Sequence, residues 1–439
     1  MLYLIALVIV VTLMIAGSTR YRIHPFLSLL FAAIAMGFLS GMGGKAVLDR
    51  ITEGFGHTLR SIGIVIACGT IVGSFLEKSG GAWRIATAIL RLVGERRSAM
   101  AMSLAGFVVS IPVFCDSGFV ILSPLNRALT RRTGLSRVSL AVALGTGLYA
   151  THVFVPPTPG PLAAAAALQV DVGWMILLGL AVAAPAALAG YLWAVLYARR
   201  FAGTAEETGS TIAPDKLPSL GKALAPIAVP VLLIALRSIS DLPAHPFGAG
   251  FFRSLFDFLG HPVMALLTGV LLAFRLTVTE GSNSRLDLVS SSLRQAGSIV
   301  LITGSGGAFG EILRASGLGD WVGQTMAQWH LGLLGPFLIA AVLKTAQGSS
   351  TVSLITTAAL TSPMLAGMGY ATPLGRTLVA LAIGAGSMAV SHVNDSYFWV
   401  VAQFSGMDTT TALRAHTVAT LIQGLTGFVC VVLLSAILL

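Results

Sequence analysis

The chain's 439 residues are 55% hydrophobic and only 10% charged, with mean hydropathy +0.88, whereas soluble domains carry about 25% charged residues, so water is excluded as its main solvent. Its net charge of +10 does not point to nucleic acid, because the arginines sit in short segments beside apolar runs, the usual pattern of cytoplasmic loops. Cys68, Cys115 and Cys430 lie in apolar segments without disulfide or metal-ligand spacing, so neither metal nor cofactor is expected.

Met1 to Gly17 lacks a basic leader and is followed by Arg20 and Arg22, which reads as a retained helix and not a cleaved signal. Further crossings of a ~30 Å hydrocarbon core are predicted near 24–42, 59–77, 138–168 and 172–198, then near 223–240, 262–276, 294–313, 376–405 and 412–438. The apolar stretch 98–126 is flanked by Arg91, Arg96 and Arg97 before it and Arg127, Arg131, Arg132 and Arg137 after it. Both ends should face the cytoplasm, which makes it a re-entrant hairpin with its tip at Ile111-Pro112-Val113-Phe114-Cys115-Asp116-Ser117-Gly118. The stretch 331–366, flanked only by Asp320, His330 and Arg376, reads as a second hairpin entering from outside, with its tip at Gln347 to Thr351.

The polar stretch 202–222 is the natural midpoint, a cytoplasmic linker between residues 1–201 and 223–439. Fragments recur in order on either side of it. Leu59-Arg60-x-x-Gly63 and Ser79-Gly80 before Trp83 match Leu293-Arg294-x-x-Gly297 and Ser316-Gly317 before Trp321, and His152-Val153 answers His392-Val393. Such weak internal similarity marks transporter repeats. Five crossings plus one hairpin per half invert the second half relative to the first and place both termini outside. The expected fold is an all-α polytopic membrane protein of two inverted-topology repeats. Each has a re-entrant hairpin (98–126 and 331–366) and a broken transmembrane helix (138–168 and 376–405).

The breaks are His152-Val153-Phe154-Val155-Pro156-Pro157-Thr158-Pro159-Gly160-Pro161 and Ser391-His392-Val393-Asn394-Asp395-Ser396. Proline removes a backbone donor and clashes with the preceding turn, and irregular backbone at membrane depth needs protein or a water-filled cavity around it. Two tips and two breaks can therefore present half-helix N-termini, which favour anions, to one midplane site. Asp116 in its apolar surroundings is the leading ionisable candidate, with a helix cap as the competing reading. His152 and His392 hold matched positions, and a free imidazole titrates near neutrality; Asp395, with Asn394 and Ser396, can bind a proton or a substrate hydroxyl. Ser349, Ser350 and Thr351 offer hydroxyls to a carboxylate, or to the backbone of a tight bend. Lys344 reads equally as a counter-charge or a snorkelling lysine, and Glu77 and Glu311, nearer helix ends, as structural. Gly304-Ser305-Gly306-Gly307 lies in an apolar span without a strand pattern and reads as a helix-packing surface. No nucleophile elbow, metal motif or Walker sequence is present, so the chain is not expected to be an enzyme, and uphill transport would draw on an ion gradient.

At these residues the chain resembles the gluconate permease family of bacterial proton symporters, a branch of the ion-transporter superfamily. The resemblance rests on IPVFCDSGFVILSPL, HVFVPPTPGP, KTAQGSSTVSLITTAAL and SHVNDSYFW and runs from the first helix to the last. It implies import of a small hydroxylated carboxylate, such as gluconate, idonate, a glycerate-like acid or D-serine, coupled to protons. It also implies a homodimer in a bacterial cytoplasmic membrane, working by an elevator motion. Carried over, the substrate site is Ser117, His152, Thr158, Gly348, Ser349, Ser350, Thr351, His392, Asn394 and Ser396, and the proton-coupling groups are Asp116, Asp395, His152 and His392. Thr158 stands where the family often has histidine, and Cys115 where it often has an aromatic residue, which leaves the substrate's identity open. The competing readings are a sodium-coupled carboxylate or D-serine transporter, an anion channel, and a membrane-embedded enzyme acting on lipid.

Overall fold

A computed structural model describes residues 9–14, 16–17, 21, 23–201, 217–240, 250–276, 285–317, 331–393 and 395–439, and among them every regular element is helical. That follows from the solvent, since an apolar run in lipid must satisfy its amides internally. The first half runs α1 (Pro25–Leu39), α2 (Gly44–Lys78), α3 (Gly81–Val93), α4 (Ser98–Val109), α5 (Cys115–Thr133), α6 (Arg137–Phe154), α7 (Pro159–Ala167) and α8 (Val172–Leu196). The second runs α9 (Leu220–Ser240), α10 (Phe251–Leu259), α11 (Pro262–Ala273), α12 (Arg285–Ala315), α13 (Leu334–Gln347), α14 (Ser350–Thr361), α15 (Pro373–Met388), α16 (Ser396–Ser405) and α17 (Thr409–Leu438), the last with a π-helical turn at Leu413–Thr417. Most of the first expected crossing and of the linker, and Trp321 of the second-half fragment, lie outside the described residues.

Five described stretches are long and apolar enough to cross a membrane (Arg137–Ala167, Val172–Arg200, Leu220–Arg237, Arg285–Ala315 and Thr409–Leu438), or seven if two bent helix pairs each count as one span. Two helices stand outside the expected crossings. At 1.5 Å per residue α3 and α10 are only about 20 and 14 Å long, too short to span the core. The α2 helix begins at Gly44 instead of near 59; Lys45, Asp49, Arg50 and Glu53 in its first turns hide it from a hydropathy reading.

Each expected hairpin is a pair of helices joined by a tight turn, α4 to α5 through residues 110–114 and α13 to α14 through Gly348 and Ser349. Each expected break also interrupts its helix. The α6 helix stops at Phe154 and α7 begins at Pro159, while α15 stops at Met388 and α16 begins at Ser396. The second break lacks proline. It turns instead at Val390, whose φ of +56° is unfavourable for a β-branched side chain. The surrounding contacts hold it there: the Ser391 N–H donates to Thr420 Oγ1 at 3.0 Å and the Ser391 carbonyl accepts from the Thr417 hydroxyl.

The broken helices form the buried centre. From Val138 to Phe154 every residue of α6 is buried, and from Thr377 to Met388 every residue of α15. The α4 arm packs on α6 and the α13 arm on α15, with α8 and α17 on their other sides. Both arms approach so closely that a Cβ on Gly147 would overlap the Ser103 carbonyl, and one on Gly386 the Phe337 carbonyl. Outside this block α2 and α12 run against each other through Gly54 and Gly307. The glycine-rich segment on α12 is indeed a packing surface, with Gly304 against Phe55 and Gly306 against Ile355.

Candidate functional site

Four half-helices begin beside the buried block, at Cys115, Pro159, Ser350 and Ser396. They differ in what they leave free. Asp395 caps α16 by accepting the Tyr397 N–H at 3.0 Å, and Ser349 caps α14 by accepting the Val352 N–H at 3.3 Å. The α5 terminus has Phe114 as its N-cap residue and no side-chain cap, so Asp116, in the first turn, is not the cap. The α7 terminus also lacks one. Pro159 and Pro161 carry no N–H, leaving Gly160 as the single donor among its first three residues.

At the centre lies an ion pair. Lys344 Nζ approaches Asp395 Oδ2 at 2.6 Å, with side-chain exposures of 0% and 5%. The Ser391 hydroxyl donates to the same oxygen, so this carboxylate is held by a lysine from α13, a hydroxyl from its own break and the amide of Tyr397. Lys344 does not snorkel; two charges this deeply buried persist only because they are paired and hydrogen-bonded. Asp116 lies within electrostatic reach of both Asp395 and Lys344, and its Oδ1 is buried without a hydrogen-bond partner among the described residues. A buried acceptor left unpaired costs about 1–3 kcal/mol, which makes Asp116 a carboxylate of the cluster with unused bonding capacity.

Aromatic hydroxyls complete the cluster. The Tyr149 hydroxyl lies beside Ser350 but is buried without a hydrogen-bond partner among the described residues, and its ring lies 5.1 Å from that of Tyr397. Tyr397 in turn donates to the Gly145 carbonyl at 2.7 Å, which ties α16 to α6. The Ser117 hydroxyl lies beside the Glu77 carboxylate near the end of α2, so Glu77 is brought to the first tip. His152 is 4% exposed, its ring 5.9 Å from that of Phe114 and its Nδ1 unpartnered among the described residues. Gly348 closes α13 in a left-handed turn at φ +74°, donating to the Lys344 carbonyl at 2.8 Å. Thr351 packs against Gly160, which brings the second tip onto the start of α7.

Thr158 is 1% exposed, and its hydroxyl donates to the carbonyls of His152 and Val155 at 2.9 and 2.7 Å. That donor is committed to the carbonyls freed where α6 ends. His392 is half-buried and Ser396 exposed, while Asn394 lies outside the described residues. The structure thus groups Asp116, Ser350 and Asp395 with Lys344, and sets His152, Thr158 and Thr351 beside them. Sequence reading did not single out Tyr149, Ser391, Tyr397 or His416; a tyrosine or histidine inside an otherwise apolar crossing was the available signal.

A cleft of about 230 Å³ opens where α2 and α12 meet the far ends of α7 and α14, lined in part by Glu53, His57, Gln169, Glu311 and Arg314. Glu311 joins Arg50 and Arg314 there at 3.4 and 2.8 Å. The nine residues of α7 set this cleft about 14 Å from the Gly160 end of the site. Among the described residues no group of three or more metal-ligating side chains occurs.

Residues 2–437 match the description "GntP family permease". The chain is 38% identical to a gluconate permease of Pseudomonas aeruginosa, covering all of this chain and 98% of that protein. It is 31% identical to the high-affinity gluconate transporter of Escherichia coli K12, with 99% of this chain and all of that protein covered, and 31% identical to the L-idonate transporter of the same organism's Gnt-II system, with 98% of each covered. Among solved structures, the Alcanivorax borkumensis YdaH transporter superposes with a TM-score of 0.69 at 14% identity over 94% of this chain and 99% of that one. Neisseria gonorrhoeae MtrF superposes equally, with a TM-score of 0.69 at 15% identity over 95% and 96% of the two chains.

Proposed function

This chain belongs to the GntP family of permeases, multi-pass membrane transport proteins and not enzymes, and on that premise we propose that it imports gluconate or a related hydroxylated carboxylate together with protons. The observation carrying this reading is the convergence of two hairpin turns and two helix breaks on the buried Lys344–Asp395 pair, with Asp116 beside it. A substrate carboxylate would meet the uncapped amides of α5 and the Lys344 ammonium. Its hydroxyls would meet Ser350 and Thr351. The proton reaches the cluster through Asp116, whose Oδ1 has no hydrogen-bond partner among the described residues.

In this reading the two halves are inverted repeats, the hairpins are re-entrant from opposite faces, both termini lie outside, and the protein works as a homodimer in the cytoplasmic membrane. The same succession of long helix, hairpin, broken helix and terminal helix in each half supports the repeats. The glycine-mediated crossing of α2 and α12 suits a fixed scaffold against which the hairpin block slides as an elevator. A proton taken up with the substrate offsets the anion's charge and so lowers the cost of carrying the loaded block through a low-dielectric barrier.

The test is a panel of sugar acids, short hydroxy acids and D-amino acids offered to proteoliposomes with and without an inside-alkaline pH gradient. Gradient-driven uptake of at least one carboxylate is expected, and uptake of none overturns the assignment. Asp116→Asn should still exchange labelled substrate but lose gradient-driven accumulation. Undiminished transport with unchanged proton stoichiometry removes Asp116 from coupling.

A further inference from the structure

His416 is absent from the roles assigned above, yet the fold places it at the centre. It lies on the π-helical turn Leu413–Thr417 of α17, a local widening of the helix that recurs at functional sites. It is 0% exposed, and neither ring nitrogen has a hydrogen-bond partner among the described residues. A neutral imidazole carries one donor and one acceptor, so both its bonding groups are unused in a dry environment. Packing alone does not account for that, because an apolar ring would fill the same space at no such cost.

The surroundings give the unused groups a purpose. The ring lies 5.5 Å from that of Tyr397 and 6.4 Å from that of Phe398, directly behind the start of α16, and His416 is within electrostatic reach of Asp395 and Lys344. Thr417, its neighbour on the π turn, donates to the Ser391 carbonyl, and Ser391 in turn donates to Asp395. The titratable and charged groups facing it are therefore Asp395 and Tyr397 from α16 and Lys344 from α13. From α6, Tyr149 packs on Tyr397, and Arg414 on its own turn is exposed.

We propose that His416 is the coupling switch of the transport cycle, its imidazolium replacing Lys344 as the counter-charge of Asp395 and so freeing Lys344 for the substrate carboxylate. The inference rests on the proton-coupled reading above. Charges balance in each state. With His416 neutral, Lys344 and Asp395 cancel; with a proton on His416 and a substrate anion on Lys344, these groups again sum to zero, so the block crosses with the same net charge whether empty or loaded. The proton comes from water on the side of substrate loading, by way of Asp116, and returns to water on the other side when the substrate leaves and Lys344 reclaims Asp395.

The test compares wild type, His416→Gln and His416→Lys in proteoliposomes, with labelled gluconate as the probe. Wild-type affinity should fall about tenfold per pH unit on the alkaline side, the slope of one linked proton. H416Q should bind at least tenfold more weakly without that slope, and H416K, permanently charged, should exchange gluconate independently of pH but fail to accumulate it. Wild-type pH slopes and accumulation in either variant overturn the role of His416 while leaving proton-coupled import intact. A wild type that does not accumulate gluconate or any related carboxylate under a pH gradient overturns the transport reading itself. Should both variants fail to fold, ¹⁵N-histidine NMR of the wild type decides the matter: a buried imidazole that gains its second proton on gluconate addition supports the switch, and no such change overturns it.

Discussion

Removing the Lys344 ammonium by Lys344→Met leaves Asp395 buried with its principal partner gone, while the methionine keeps most of the stem's volume. The pair is 2.6 Å apart and at most 5% exposed, so solvent screening does little to soften the loss. Breaking a buried ion pair from one side costs about 3–5 kcal/mol. Asp395→Asn isolates the lysine in the same way, but its amide oxygen can still accept the Tyr397 N–H, so the cap on α16 survives. In the double variant neither charge of the pair remains to be left without the other. It should regain about 2 kcal/mol or more relative to the sum of the single losses, well above the ~0.5 kcal/mol scatter of additivity. Equilibrium unfolding in mixed micelles measures all four proteins, and labelled-substrate exchange in proteoliposomes shows which still transport. Single variants that lose less than about 1 kcal/mol, or a double variant whose loss equals the sum, would refute the claim that these two charges sustain each other. All three variants should lose uptake, because the substrate anion is proposed to bind the lysine.

Two further expectations come from packing and the first break. Gly147→Ala and Gly386→Ala each drive a Cβ into a backbone carbonyl of the neighbouring hairpin arm, and such overpacking costs about 1–3 kcal/mol. Gly297→Ala on α12, with nothing within 4 Å, should stabilise by up to about 1 kcal/mol through helix propensity, and a common sign for all three in thermal unfolding would contradict the close-approach reading. Thr158→Val strips the donor from the His152 and Val155 carbonyls and should cost about 1–3 kcal/mol, with Thr158→Ser near wild type; equal unfolding temperatures for the two would show that these bonds do not hold the break.

The charge cluster illustrates how far local reasoning reaches. Asp116 and Asp395 stand out in the sequence because an aspartate in an apolar segment is costly wherever that segment folds. Lys344 stands out too, but sequence alone fits a counter-charge and a snorkelling lysine equally, since the choice depends on a partner 51 positions away. His416 sits in an apolar run like any packing histidine; the π turn and the rings of Tyr397 and Phe398 that set it behind the ion pair arise only from packing. Thr158 looked like a ligand to substrate, and the direction of its hydroxyl, back toward the end of α6, was fixed by which carbonyls the break left free.

The sequence by itself determined the solvent, the helical class, the two hairpin turns and the two interruptions, because each follows from short-range chemistry. Apolar residues exclude water, lipid compels helices, and proline, glycine or clustered polar groups end them. Which faces meet was decided only by the tertiary structure. In a chain that is apolar nearly all round, hydrophobic periodicity no longer separates the inside from the outside, so the contacts of Gly147, Gly386 and Gly307 had to be seen in space. The pairing of Lys344 with Asp395 was decided there as well, since the fold brings α13 to the start of α16 and sets the two charges against each other.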